Sequence, residues 1–280
     1  KMTKRTLTFL LITALVITLF PMAAFAAPSE VGTNSVNSTN ISVVVNNNPA
    51  NEKIGDTGWI NWEQGVVKAI GTGAPASKAK TQAQAKILAR RAAIVDAYRN
   101  LAETIQGLQV DSETTVENLE VTSDIIKTKV SAFIKGAQIV SEKQLEDGSF
   151  EVIMQVRVNG VSNLNDIIYD ARPPQTQPVP QPSPEYTPPV TISSYTGVVI
   201  DARGLALDRC FSPKVYDENG REVFGTMYVD PDFLSENGLV SYAASPDMLR
   251  LVDNGQSRAG ANPIVVKAIK VRDHNYNVII

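Results

Sequence analysis

Apolar positions recur at different periods along this chain, and each period predicts a different element. Leu7 to Phe20 is an almost unbroken apolar run, interrupted only by Thr8, Thr13 and Thr18. It is shorter than the roughly 20 residues a bilayer-spanning helix needs. From Lys78 to about Gln106, Ile87, Ile94, Tyr98, Leu101 and Ile105 return at spacings of three, four and seven. That spacing places them on one face of a long helix. Ala, Leu, Lys, Gln and Arg dominate this stretch, and all favour helix. Ser77 is the expected N-cap and Gly107 the stop. Ala83, Ala85, Ala89, Ala92 and Ala93 keep the helix slim enough to lie close on a sheet. Arg91 falls inside the predicted stripe, so it is expected to bridge to Asp96, Glu103 or a strand carboxylate. Tyr98 is expected to pack inward.

Elsewhere the period is two. Val152, Met154, Val156 and Val158 alternate with Glu151, Gln155 and Arg157, which predicts a strand buried on one face. Ala137–Gln144 and Ser149–Val158 flank Glu146-Asp147-Gly148, a hairpin signal with Gly148 in the turn. Gly65–Gly71 reads as a strand, Gly71-Thr72-Gly73-Ala74-Pro75 as a turn, and Leu108–Val116 as a polar strand. Glu120–Lys135 reads as a second, shorter helix. Its inward candidates are Ile125, Ile126, Lys129, Val130, Phe133 and Ile134. The order over residues 58–161 implies an α+β unit: an antiparallel sheet with a long and a shorter helix on one face.

Eight of the 17 residues from Pro173 to Pro189 are proline. Proline at that density favours extended polyproline II, so residues 162–191 are predicted to be a semi-rigid Pro-rich linker. Residues 192–280 read as a second small α+β domain. Its strands are expected at Gly197–Asp201, Pro263–Ile269 and Tyr276–Ile280. Lys214–Tyr216 and Glu222–Phe224 form a hairpin about Asn219-Gly220. Asp230–Gly238 and Ser245–Val252 read as short helical pieces.

The chain start bears on compartment. Lys1, Lys4 and Arg5 precede the apolar run, and Pro21 and small residues follow it. This predicts a signal peptide over residues 1–26, with Ala24 and Ala26 forming the small-x-small cleavage site. Residues 27–57 would then be an extended leader. No cysteine lies near the cut, so the expected product is exported and non-lipidated: periplasmic, on the cell surface or secreted. No later stretch is apolar enough to make a transmembrane segment. Three of the 26 basic residues fall in the signal, which leaves 23 against 29 acidic ones. That balance argues against nucleic acid, which needs a basic face.

Candidate chemistry is sparse. Cys210 is the one cysteine and His274 the one histidine. Neither a Ser-His-Asp set nor a metal cluster can be built around them. We therefore expect no catalytic residues, no metal and no cofactor, and we read Cys210 as a buried apolar residue. Gly71-Thr72-Gly73 lacks the rest of a phosphate loop. Asp230-Pro231-Asp232 offers too few oxygens for calcium. Asp201 and Arg203, just after a strand, are the best candidates for a polar ligand.

Residues Ala79 to Val158 resemble the domain shared by the LPP-twenty lipoproteins and the N-terminal part of flagellar assembly protein T. The likeness is carried by Gly71-Thr72-Gly73, Ala89-Arg90-Arg91-Ala92-Ala93, Asp96 to Glu103, Gly107 to Thr114, Phe133-Ile134-Lys135-Gly136 and Asp147 to Val152. It implies an envelope protein whose partners are envelope or flagellar proteins, or a second copy of itself. Flagellar members of the family help build rings around the rod. The second unit is similar to a tail on other exported proteins, through Gly197–Ala202 and Ser212–Asp217. The expected function is non-enzymatic, structural or in assembly. The alternative is a glycan- or cell-wall-binding module that uses Asp201 and Arg203.

Overall fold

The computed structural model describes residues 48–159, 163–171 and 195–280. The signal segment with Ala24 and Ala26, and the proline run itself, lie outside the described residues. The fold is α+β, as the patterns implied. In the first half, β1 (Asn51–Ile54), β2 (Gly58–Asn61), β3 (Val66–Gly73), β4 (Gln138–Gln144) and β5 (Phe150–Arg157) form one antiparallel sheet of order β1-β2-β3-β5-β4. The Asp147-Gly148 hairpin joins β4 to β5, with Gly148 at φ 81° where a side chain would be strained. Phe150, Val152, Met154 and Val156 all point into the core.

The long helix α1 (Gln82–Gln106) lies on β3; it starts later than expected, and it turns alanines toward the sheet alongside Leu101 and Ile105 of the expected stripe. Thr81, not Ser77, is the N-cap and accepts from Gln84 N. Gly107 closes the helix as expected, donating to Glu103 O. The buried face is Ala89, Ala93, Ala97, Leu101, Thr104 and Ile105. Ile87 is 54 % exposed, Tyr98 sits at the core margin, and Arg91 points to solvent. The cause is close packing. A Cβ on Gly71 would lie 2.5 Å from Ala97 Cα, and one on Gly73 would lie 2.4 Å from Ala93 N. Only alanine can approach glycine this closely, so Ala89, Ala93 and Ala97 take the contact in place of Ile87, while Leu101 and Ile105 are buried as expected. Gly71 and Gly73 accordingly belong to strand β3, not to a turn.

Three further expectations change. Leu108–Val116 is a loop with a single bridge, Gln109↔Thr115, because the Asp111 carboxylate accepts from Glu113 N and Thr114 N and turns the chain. The expected second helix is two: α2 (Val116–Thr122) and α3 (Asp124–Lys135). Extended Ser123 separates them and caps α3 through Ile126 N. Ile126 and Val130 face inward, while Ile125 is 69 % exposed and Lys129 pairs with Asp170. Finally, ordered structure invades both flanks. Strand β1 lies in the predicted leader, and α4 (Leu164–Asp170) lies in the predicted linker. Leu164, Ile167 and Ile168 of α4 join the main core, and that burial holds the helix in place.

The second half holds two small sheets. β6 (Gly197–Asp201) pairs in parallel with β9 (Pro263–Lys267). β7 (Val215–Tyr216), β8 (Glu222–Phe224), β10 (Lys270–Arg272) and β11 (Asn277–Ile279) form a mixed sheet of order β10-β11-β7-β8. Gly220 turns the expected hairpin at φ 80°. Helices α5 (Pro231–Asn237) and α6 (Pro246–Asp253) match the two helical pieces, and each opens on proline behind a side-chain cap. His274 lies in the β10–β11 turn, where Asp273, His274 and Asn275 all have positive φ.

Candidate functional site

Three places gather side chains. The first is the junction between the halves. Trp62, at the end of β2, packs against Phe211 with ring centroids 5.2 Å apart and against Tyr242 at 5.4 Å. Its indole N–H donates to Glu52 Oε2 at 2.7 Å. Burial raises the Glu52 carboxyl above its ordinary range, opposed by that N–H and by Arg209. Glu63 accepts from Ala244 N (2.8 Å), Ser245 N (2.7 Å) and Ser245 Oγ (2.7 Å), and so tethers the start of α6. The Tyr169 hydroxyl donates to Phe211 O at 2.7 Å and accepts from Leu239 N at 3.1 Å. Phe211 N and Ser212 N donate to Gln109 O and Val110 O. The extended backbone expected to be a strand therefore serves as a docking edge. Cys210 is buried here, as expected, and Tyr242 OH donates to its carbonyl. Burial pushes the Tyr242 phenol well above its ordinary value. The junction encloses a cavity of about 70 Å³ beside Glu63, Asn165, Tyr169 and Tyr242. Small-molecule pockets typically run from about 300 Å³ upward, so this space suits ordered water.

The second place is the candidate ligand pair. Arg203 Nε and Nη2 donate to the two oxygens of Asp201 at 2.8 and 2.7 Å, and Arg203 N adds a bond at 3.0 Å. The guanidinium holds the Asp201 carboxyl at a pKa of about 2. Both charges are thus matched locally, and a polar ligand must compete with this fork-on-fork pair. Asp230 is engaged as the α5 cap through Asp232 N and Phe233 N.

The third is the outer side of α1. Thr72, Arg91, Ala92, Val95, Asp96 and Arg99 line an open depression of about 420 Å³. The predicted Arg91–Asp96 bridge is absent from the hydrogen bonds of Asp96. Asp96 Oδ2 instead accepts from Thr72 N at 2.9 Å, and Asn100 Nδ2 donates to Ile70 O at 2.7 Å. Strand β2 pairs with β3 only as far as Ala69. Asp96 and Asn100 therefore satisfy backbone groups on the edge that β2 leaves uncovered.

Residues 72–157 match the model of the LPP20 lipoprotein family. Residues 197–280 match the model of the second domain of Treponema pallidum Tp0624. No curated protein matches the chain. The LPP20 match runs from Thr72 in β3 to Arg157 at the end of β5, so it covers the α1–β3 contact and the hairpin but fewer than half of the residues. It supports an envelope-associated, lipoprotein-like first half. Among the described residues, no helix is long and apolar enough to cross a membrane.

Sequence reasoning missed the junction. Trp62 and Glu63 sit in the β2–β3 turn, Tyr169 in α4 and Tyr242 in the loop between α5 and α6, and these three separate segments share no local motif. The available signal was indirect: buried aromatics with a polar tip need partners, and nothing local in the sequence says which groups those are.

Proposed function

We propose that this chain is an exported, non-enzymatic protein of the cell envelope that works by binding other proteins in a structural or assembly role. One observation carries the reading. The residues that bear the family resemblance serve packing: Gly71 and Gly73 admit the alanine face of α1, and Asp96 and Asn100 cap the edge of β3. The LPP20 match and the charged, then apolar, then small-residue chain start favour the envelope. What remains for function is surface. Strand β4 is exposed along its whole length at the sheet edge. The parallel pair β6–β9 leaves Val198 59 % and Val265 65 % exposed. Edges and patches of this kind invite partners.

Cell fractionation with N-terminal sequencing tests export: the reading expects an envelope protein that begins at Ala27. Recovery of the intact chain in the cytoplasm overturns it. Flagellar assembly is the first setting to test. Loss of motility in a deletion strain with an intact envelope supports it, and a motile deletion strain with normal basal bodies removes it.

A further inference from the structure

The buried face of α1 uses alanines and leaves a second apolar stripe pointing away from the core. Leu88, Ala92 and Val95 are spaced four and three residues apart, and Ala85 extends the series by another three. These are the a and d positions of two heptads, the spacing of a helix-pairing seam. Leu88 is 37 % exposed and Val95 62 % exposed. Ala92 and Val95 form part of the open depression of about 420 Å³.

Charge identifies the occupant. Arg91 and Asp96 flank the seam on opposite sides and lie five residues apart. In two parallel helices related by a two-fold axis, a flanking residue on one helix faces the partner's opposite flank five residues further on. Arg91 of each copy would then oppose Asp96 of the other, twice over. An acidic partner would meet Arg91 favourably but be repelled by Asp96, and a basic partner the reverse. A second copy of this chain satisfies both signs at once, as an isologous interface must. Asp96 can do this while keeping its fold role, because its bonds to Thr72 N and Asn100 Nδ2 both fall on Oδ2. The exposed Arg99 stands at the next a position, where the two-fold axis sets it against Arg99 of the other copy; that repulsion ends the seam, so the contact is short and the association weak.

We infer that the outer face of α1 is a self-association surface, on which two copies pair through parallel α1 helices with reciprocal Arg91–Asp96 contacts. This extends the assembly reading above, but its test does not depend on it. Association is measured on the purified chain, whatever its compartment.

Sedimentation equilibrium of the full chain from about 10 to 500 µM should show a monomer–dimer equilibrium. Arg91→Glu sets like charges against each other at both contacts and should weaken dimerisation about tenfold or more. Asp96→Lys should do the same. An equimolar mixture of the two variants restores opposite charges at both contacts and should dimerise as well as the parent. Leu88→Cys and Val95→Cys supply a readout that leaves both charges in place. Parallel pairing brings each cysteine beside its own copy, so both variants should cross-link on mild oxidation, with buried Cys210 standing aside. A chain that stays monomeric throughout, a dimer indifferent to Arg91→Glu, or failure of either cysteine to cross-link overturns the proposal.

Discussion

Gly71→Ala probes the close approach of β3 to the backbone of α1. The new Cβ would sit 2.5 Å from Ala97 Cα and nearer still to Ala97 N and Ala93 O. All three are helix backbone atoms, so no side-chain rotation relieves the clash. Helix α1 must back away by about 1 Å, and a gap of that size forfeits about a quarter to a half of each dispersion contact across it. The contacts at risk are those of Ala89, Ala93, Ala97, Leu101 and Ile105 with the sheet. Overpacking costs about 1–3 kcal/mol in general, and a rigid backbone neighbour puts this site at the upper end. Losing a glycine from the unfolded chain returns about 0.4–1 kcal/mol. The net expectation is a loss of about 2 kcal/mol, or a fall in Tm of about 4–8 °C for a chain of this size. Urea denaturation followed by far-UV circular dichroism measures it. Thr72→Ala, at the exposed neighbouring position, is the control and should stay within about 0.5 kcal/mol of the parent. A Gly71→Ala protein as stable as the control would refute the close-packing account.

Three other outcomes are expected. Glu63→Ala removes the acceptor of three donors at the start of α6, and an unmet buried donor costs about 1–3 kcal/mol. Hydrogen exchange at residues 244–248 should therefore speed up, and unchanged exchange would show that Glu63 does not tether the halves. Asp201 should titrate near pH 2 by NMR and move toward 3.8 in Arg203→Ala. Because its folded pKa is lowered, its stabilising contribution is present above about pH 4 and lost as pH falls through about 2. A native midpoint near 3.8 would mean that the pair does not persist in solution. Cys210 should resist a thiol reagent until the protein unfolds; rapid labelling of the native chain would contradict its burial.

Much of the element list was legible in the sequence. Both hairpins were signalled by Asp-Gly or Asn-Gly between alternating runs, and such turns are decided by a few neighbouring residues. The α5 and α6 segments carry Asp230-Pro231 and Ser245-Pro246 at their starts, a local cap and a preset φ. The face of α1 was legible in part. Leu101 and Ile105 of the expected stripe are buried and Ile94 and Tyr98 lie at the core margin, but Ile87 is exposed, because Gly71 and Gly73 select Ala89, Ala93 and Ala97 for the contact. Arg91 was drawn inward by the same argument and lies outside. Leu164–Asp170 looked like part of a linker because proline-rich chain follows it closely, yet its three apolar residues complete the main core.

The candidate sites divide along the same line. Asp201 and Arg203 are two residues apart, and their pairing follows from proximity in the chain. The junction of Trp62, Glu63, Tyr169 and Tyr242 joins residues up to 180 positions apart. The described residues from Asn48 onward form one compact unit through such contacts. By itself the sequence determined the periodicities, the turns, the caps and the class of fold, because these rest on backbone preferences within a few residues. Only the tertiary structure decided that Ala89, Ala93 and Ala97 rather than Ile87 meet the sheet, that Leu164–Asp170 belongs to the main core, and that the two halves interlock. Those outcomes depend on the fit of surfaces distant in sequence, and steric fit has no local signature.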